Sequence, residues 1–261
     1  MPLVTKKVLV TVKAPPHPSK KYQEINCCAG IDIDTGRWIR LYPIPFRLLD
    51  DDKKFPKYSI ITVKCEKPKR DRRVESYRVN EESISIEKWL DTNDNWAARN
   101  KIVLPTVSPS FCSILKKYNE KSLGCIKPAH VEFHVEKVSK KPSKKHENVY
   151  SQLRLFDKSL IPLEHIPYAF YYTFKCVDTP SCQGHKLMIE DWEIVQSYRR
   201  WKARYPEKEL LSNIRKKWFS ELCSPKRDTY FFVGNMHRFP KQFLILGVFY
   251  PPRSQPSLFT H

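Results

Sequence analysis

Apolar and polar residues alternate along the first third of the chain, in short stretches separated by polar turns. The stretches are KKVLVTVKAP (6–15), EINCCAGIDIDTGRWIRLYPIPFR (24–47), YSIITVKCEKPKRD (58–71) and RVESYRVN (73–80). Alternation with a period of two is typical of half-buried strands, and the DTG triplet inside the second stretch predicts a hairpin turn. Several short strands without intervening helices predict a small β-barrel over residues 1–82.

The next 40 residues, 83–122, are predicted to form a helical connection. Ser85 is placed to cap a short helix that carries Trp89 and Leu90 on its apolar side. A second short helix follows, because Phe111 and Leu115 recur at helical spacing. These two helices would join the barrel to the remainder of the chain.

Residues 123–261 are predicted to form a second β unit with inserted helices. Strand patterns cover 123–138 and 165–176, and the lysine-rich stretch between them predicts a loop. Two amphipathic stretches within 188–223 predict a C-terminal helical pair, and TYFFVGNMHRFPKQFLILGVFY (229–250) predicts a closing β-hairpin. The expected fold class is therefore α+β, with two small β units.

Charge adds the strongest indication of a partner. The chain has 47 Lys and Arg against 28 Asp and Glu, a formal net charge of +19. A folded domain with such an excess is expected to bind a polyanion, and DNA or RNA fits because phosphate contacts dominate the affinity of nucleic-acid-binding proteins. Docking on an acidic protein within a protein complex is the alternative.

Other motifs bear on location and cofactors. The N-terminal stretch has no long apolar region and no small-residue cleavage site, so no signal peptide is expected, and the longest apolar run, FLILGVFY, is too short to span a bilayer. A cytoplasmic protein without a membrane partner is expected, so its 8 cysteines should stay reduced. Neither of the usual glycine-rich nucleotide cradles occurs, and no small-molecule cofactor is predicted.

Soft metal ligands cluster in the stretch FKCVDTPSCQGHKLMIEDWE (174–193). Cys176, Cys182 and His185 have the spacing Cys-x5-Cys-x2-His, which a tight turn after a strand could bring around one Zn²⁺. His237, in the turn of the predicted closing hairpin, is the first choice of fourth ligand. The weaker choices are Cys223, His165 and Asp178. The alternative is a buried Cys176 followed by an ordinary turn.

The acids that follow this cluster allow a catalytic interpretation. Asp191 and Glu193 could bind Mg²⁺ in a metal-dependent nuclease, with His185 as the general base. The alternative is that both acids occupy the first turn of a helix, where the macrodipole favours negative charge. Residues two apart on a helix do not face each other, which favours the second interpretation.

Basic residues interleaved with aromatic residues predict a nucleic-acid-binding face. Strand alternation places Trp38 and Arg40 on one side, where an aromatic ring stacks on a base and an arginine contacts phosphate. The alternative is that Trp38 belongs to the core and the arginines only solvate an edge. The predicted contacts are Arg37, Trp38, Arg40, Arg47, Lys69, Arg70, Arg72, Arg73, Arg199 and Arg200.

The strings CCAGIDIDTGRWIRLYPIPFR, CQGH followed by DWE, and YFFVGN resemble a loosely defined set of uncharacterised bacterial dual-OB-like domain proteins. The resemblance implies two small OB-like β-barrel units and nucleic-acid or nucleotide binding, in bacterial defence or in a mobile element. The alternatives are a metal-dependent nuclease, or an adaptor that docks on an acidic protein or a ribonucleoprotein.

Overall fold

The computed structural model describes residues 2–19, 22–138, 166–177 and 179–253. The predicted lysine-rich loop, between residues 138 and 165, lies almost wholly outside these described residues. The structure is α+β, with strands in both halves and few helices. No helix within the described ranges has the length and apolar character needed to cross a membrane.

The first half is a closed β-barrel, as the alternation predicts. Its strands are β1 (Val4–Lys13), β2 (His17–Ser19), β3 (Gln23–Asp32), β4 (Trp38–Ile44), β5 (Ser59–Glu66) and β6 (Ser76–Val79). The pairing order is β1-β3-β4-β6-β5, and β5 returns to pair with β1. All these pairs are antiparallel except β4 with β6, which run parallel. The strand β2 pairs with β3 outside the closed ring.

The barrel encloses a small apolar core. Val8, Leu41 and Ile61 are fully inaccessible to solvent within it. Gly30 of β3 lets β1 approach closely, because a Cβ at this position would lie 2.0 Å from the backbone oxygen of Leu9. Any larger residue at position 30 would therefore push these two strands apart.

The region after the barrel departs from the predicted helical connection at its start. The stretch expected as a capped helix is the strand β7 (Ser85–Trp89), which pairs with β5. Ile84 and Ile86 alternate with serines, and the free edge of β5 supplies the hydrogen bonds that this strand needs. Two helices then follow, α1 (Asn93–Val103) and α2 (Phe111–Lys116), and the second agrees with the prediction.

The second half contains two sheets. Its strands are β8 (Val107–Ser108), β9 (Leu123–Ile126), β10 (Pro128–Lys137), β11 (Tyr168–Cys176), β12 (His185–Met188), β13 (Tyr230–Asn235) and β14 (Phe243–Phe249). One sheet has the order β10-β11-β12, and the other has the order β14-β13-β9-β8. A parallel bridge between Ile189 and Ile245 links the two sheets.

The predicted helical pair and closing hairpin are both present. The helices are α3 (Trp192–Lys202) and α4 (Glu207–Arg215), and a π-helical segment (Lys216–Glu221) extends α4. Their apolar faces pack into the core of the second half. The hairpin formed by β13 and β14 closes the fold.

The two halves share an apolar core. Leu9 and Ala29 of the first half pack in one cluster with Leu123, Phe232 and Phe249 of the second half. These side chains are almost completely buried, with exposed fractions of 0–1%. The covered surface includes the outer side of the barrel near β4, which matters for the predicted binding face.

Candidate metal centre

Four metal-ligating side chains converge in the second half. They are Cys112, Cys176, Cys182 and His185, whose candidate ligand atoms all lie within 4.8 Å of one another. Cys112 is in the first turn of α2, Cys176 ends β11 and His185 begins β12. Within the described ranges, this is the only group of three or more His, Cys, Asp and Glu side chains with metal-site geometry.

The separations of these atoms match the edges of a metal-centred tetrahedron. His185 Nε2 lies 3.3 Å from Cys112 Sγ, 3.5 Å from Cys176 Sγ and 3.3 Å from Cys182 Sγ. Cys112 Sγ and Cys176 Sγ are 3.7 Å apart. A tetrahedral Zn²⁺ with ordinary bond lengths sets edges of about 3.8 Å between sulfurs and about 3.6 Å between sulfur and nitrogen. These four separations lie within about 0.3 Å of the edges of a zinc tetrahedron, and all six lie within 4.8 Å, so the arrangement can hold one metal ion.

The turn between β11 and β12 presents Cys182 to the cluster. Cys176 N donates to Cys182 Sγ at 3.4 Å, and Cys182 N donates to Thr179 O at 2.9 Å. Gly184 has a φ of +96°, a conformation that favours glycine, and it reverses the chain just before His185. The backbone hydrogen bond from Cys176 lowers the pKa of the Cys182 thiol, as suits a thiolate ligand.

Aromatic rings enclose the imidazole of His185. The ring of Phe111 lies edge-on at 4.7 Å, and that of Phe174 lies 5.3 Å away. Burial lowers the pKa of His185, so the neutral imidazole is favoured. A neutral ring with its Nε2 directed at three sulfurs is the form of histidine that binds a metal.

The structure supplies Cys112 as the fourth member of the cluster where the sequence interpretation names His237. His237 is exposed, and its Nε2 lies 4.0 Å from a carboxylate oxygen of Asp71. Cys223 Sγ donates instead to the backbone oxygen of Trp218 at 3.9 Å. The other two candidates, His165 and Asp178, lie outside the described residues.

Cys112 carries no local signal that would identify it as a ligand. It precedes Cys176 by 64 residues, so no spacing motif connects the two. The short helix α2 positions it, because Ser110 caps that helix by accepting from Ser113 N at 3.0 Å. The packing of α2 against the second half, which the sequence does not specify, then delivers the thiol.

The acids that follow the cluster cap a helix and pair with a lysine of the first half. Asp191 is 1% exposed and caps α3 by accepting from Glu193 N at 3.0 Å. Both of its carboxylate oxygens also accept from Lys57 Nζ of the first half, at 2.7 Å. Burial alone would lower the pKa of Lys57, but Asp191 and Glu193 raise it above its ordinary value. Lys57 therefore pairs with both acids across the two halves, at 2.7 Å from Asp191 and 3.1 Å from Glu193, and His185 belongs to the separate Cys₃His cluster.

The two central residues of the predicted binding face are covered. Arg40 is 4% exposed, and its guanidinium donates to Ser122 O at 3.2 Å and to Ser122 Oγ at 3.4 Å. Trp38 is half-buried, with its ring edge-on to Phe232 at 5.5 Å. This corrects the expectation that Trp38 and Arg40 share an open stacking face, because the second half packs on that side of the barrel.

The remaining basic residues divide into engaged and exposed groups. Arg47 Nε lies 2.9 Å from the buried carboxylate of Glu24, and Arg73 pairs with Asp71 at 2.7 Å. The guanidinium of Arg199 lies 5.4 Å from the ring of Trp192. The exposed members of the predicted set are Arg37, Lys69, Arg70, Arg72 and Arg200.

Comparison with known proteins divides the chain between the two halves. A search of curated proteins finds no match. Residues 4–105 match the family described as Domain of unknown function (DUF8758), and residues 107–261 match the one described as Domain of unknown function (DUF8757). The boundary falls just before β8, so α2 and all four residues of the cluster lie in the second matched region. Since that region is more than half of the sequence, the chain belongs to the family described as Domain of unknown function (DUF8757).

Proposed function

We propose that this chain binds single-stranded nucleic acid through a surface built on two OB-like barrels. The closed ring of the first half consists of β1, β3, β4, β5 and β6. When these strands are renumbered 1 to 5 in chain order, neighbours around the ring follow the order 1-2-3-5-4-1. The third and fifth of them are parallel. A five-stranded Greek-key barrel of this kind is the basis of the OB-fold, which binds oligonucleotides.

Pairing in the second half supports the same assignment. The consecutive strands β9 and β10 together correspond to the first strand of an OB barrel. β10 pairs with the second strand, β11, and β9 pairs with the fourth strand, β13. The strand β11 pairs with β12, and β13 pairs with β14. The parallel bridge from Ile189, just after β12, to Ile245 in β14 completes the order 1-2-3-5-4-1. The helical pair lies between the third and fourth strands of this second unit.

The convergence of two loops is the observation that carries the proposal. The barrel loop (residues 67–75) joins β5 to β6, and the hairpin loop (residues 236–242) joins β13 to β14. Each lies between the fourth and fifth strands of its unit, a position that OB-folds use to bind oligonucleotides. Arg73 Nη1 donates to Asn235 O at 3.1 Å, and Asp71 lies 4.0 Å from His237, so the two loops meet.

Exposed groups on these two loops suit a single strand. The barrel loop exposes Lys69, Arg70 and Arg72, and the hairpin loop exposes Arg238 and Lys241. The ring of Phe239 is 53% exposed at the tip of the hairpin loop. Cationic side chains that follow a phosphate backbone, together with an exposed aromatic ring on which a base can stack, are the usual means of binding a single strand.

We further propose that the Cys₃His cluster binds one Zn²⁺ with a structural role. Three thiolates and one imidazole are a typical ligand set for structural zinc, and four protein ligands leave no open position for a substrate. Zinc at this position would fasten α2 to the turn between β11 and β12. It would thereby stabilise the unit that presents the hairpin loop.

Binding of a labelled single-stranded oligonucleotide tests the proposed surface. Phe239→Ala should lower the affinity by about tenfold, because one base-stacking contact contributes about 1–3 kcal/mol. Arg72→Ala and Arg238→Ala should each weaken binding and reduce the slope of log K against log salt by about 0.7, the value for one phosphate contact on a single strand. Fluorescence anisotropy over a series of salt concentrations measures both quantities.

Lys101→Ala provides the matched control, since Lys101 is exposed on α1, in neither loop. Its affinity and salt slope should equal those of the unmodified chain. A flat salt response, or an equal loss in Lys101→Ala and Arg72→Ala, would contradict the proposed surface.

A further inference from the structure

A cleft of about 670 Å³ lies between the first barrel and the segment that leads into the second half. Its barrel side includes Arg37, Trp38, Lys67 and Tyr77. Its other side is formed by residues 105–109, Glu120, Lys121 and Leu123. This volume lies within the range of about 300–1,000 Å³ that small-molecule sites occupy.

Cations in this cleft are held mainly by neutral oxygen atoms. Lys67 Nζ donates to the backbone oxygens of Val74 and Ser76, and Lys121 Nζ donates to Ser108 Oγ at 2.8 Å. Burial lowers the pKa of Lys121, which indicates an ammonium with incomplete compensation. The guanidinium of Arg37 adds an exposed charge at the rim.

The acids that line the cleft are already engaged, with the exception of the exposed Glu120. Asp32 accepts from Lys6 Nζ at 2.8 Å. The two carboxylate oxygens of Glu75 accept from Ser122 N and Ser122 Oγ, both at 2.8 Å. The hydrogen bonds from Ser122 leave Glu75 negatively charged, so the four lining cations, Lys6, Arg37, Lys67 and Lys121, face three acids and the cleft keeps an excess of one positive charge for an anionic ligand.

Aromatic surface accompanies this charge. The ring of Tyr77 lies 3.9 Å from Lys67 Nζ, and the ring of Trp38 lines the cleft beside Arg37.

From this combination we propose that the cleft binds one nucleoside monophosphate unit, either free or at the end of a strand. The phosphate contacts Lys67, Lys121 and Arg37, and the base packs against the aromatic side chains. This inference rests on the proposed nucleic-acid binding and deepens it, since it assigns a site for one nucleotide at Lys67, the first residue of the barrel loop, apart from the exposed Lys69, Arg70 and Arg72. An inorganic phosphate would use the cations but not the rings, and an acidic peptide would not require a flat aromatic partner.

Calorimetric titration of the full chain with nucleoside monophosphates tests this site. Lys67→Gln and Lys121→Gln should each weaken binding about tenfold or more, because each removes a charge-assisted contact with phosphate. Lys88→Gln makes the same change on the exposed face of β7, outside the cleft, and should leave the affinity unchanged. Thermal unfolding of all three variants checks that each is folded.

Two further titrations separate the sources of the ligand and the ways in which the inference can fail. An oligonucleotide with a 5′ phosphate that competes with the monophosphate indicates a strand end, and absence of competition indicates a free nucleotide; both outcomes support the cleft. The inference is overturned by any of three results: no monophosphate binds, inorganic phosphate or an acidic peptide binds more tightly, or Lys67→Gln and Lys121→Gln bind normally. If no monophosphate binds but Phe239→Ala still lowers the affinity for the oligonucleotide, only the nucleotide site in the cleft is refuted. Loss of oligonucleotide binding would refute the proposed function.

Discussion

Cys112→Ser is expected to abolish binding of the proposed zinc ion and to unfold most of the second half. Elemental analysis of the purified chain should find one zinc ion per molecule, and this variant should retain almost none. Structural Zn²⁺ contributes an apparent binding free energy of about 10–16 kcal/mol in zinc-finger peptides. That is comparable with the whole unfolding free energy of a typical domain, about 5–15 kcal/mol. Circular dichroism during thermal unfolding measures the loss.

Cys223→Ser is the matched control for that experiment. Cys223 packs against the same apolar core but belongs to no cluster in the described part of the chain. Its substitution should leave the zinc content at one ion per molecule and lower stability only slightly. A strong chelator should reproduce the effect of Cys112→Ser on the unmodified chain. The structural zinc proposal is contradicted if the purified chain contains no metal and its unfolding temperature is the same with and without chelator.

Lys57→Met is expected to destabilise the folded chain by about 3–5 kcal/mol, the second large effect. It leaves the carboxylate of Asp191, 1% exposed, without the ammonium at 2.7 Å. Removing one partner of a buried ion pair costs this much because the other charge stays buried without compensation. Urea unfolding monitored by circular dichroism measures the change.

Asp191→Asn separates the two roles of the aspartate. Asparagine is as good a helix N-cap as aspartate, so this variant keeps the cap and removes only the charge.

Lys53→Met is the control for Lys57→Met, because Lys53 pairs with Asp50 at 2.9 Å on the surface, where such pairs contribute about 0–1 kcal/mol. Equal losses in Lys57→Met and Lys53→Met would show that burial does not strengthen the pair. Since Asp191→Ala would lose both roles, reduced activity in that variant alone would not identify a catalytic aspartate.

Sequence patterns predict well those helices, strands and ligand spacings that depend on neighbouring residues. They predict less well the features that depend on contacts with distant parts of the chain. The start of α3 is predicted by Asp191 and by the helical spacing of the apolar residues that follow it. Three members of the cluster, Cys176, Cys182 and His185, are predicted by the single spacing Cys-x5-Cys-x2-His. The stretch SISIEKW, which forms β7, allows a helix as well as a strand until its pairing with the edge of β5 is known. The burial of Arg40 could not be predicted, because it depends on which side of the barrel the second half covers.

Two site residues carry no recognisable signal in the sequence, for the same physical reason. Cys112 and Lys57 act on partners 64 and 134 residues away, and each looks ordinary among its own neighbours. A lysine before a strand is usually solvated, and a cysteine in a short apolar helix is usually a core residue. Only the three-dimensional arrangement distinguishes them.

The ion pair between Lys57 and Asp191 has a consequence for synthesis on the ribosome. The strands of the first barrel are complete once residue 79 has been translated, whereas the carboxylate for Lys57 emerges more than a hundred residues later. Until then the ammonium must remain hydrated, since a lone charge is too costly to bury. We therefore expect the nascent barrel to stay loosened beside Lys57 and to tighten only when α3 docks. Translation pauses placed before residue 191 should therefore prolong the protease-sensitive state of the first barrel, although all of its strands have already been synthesised.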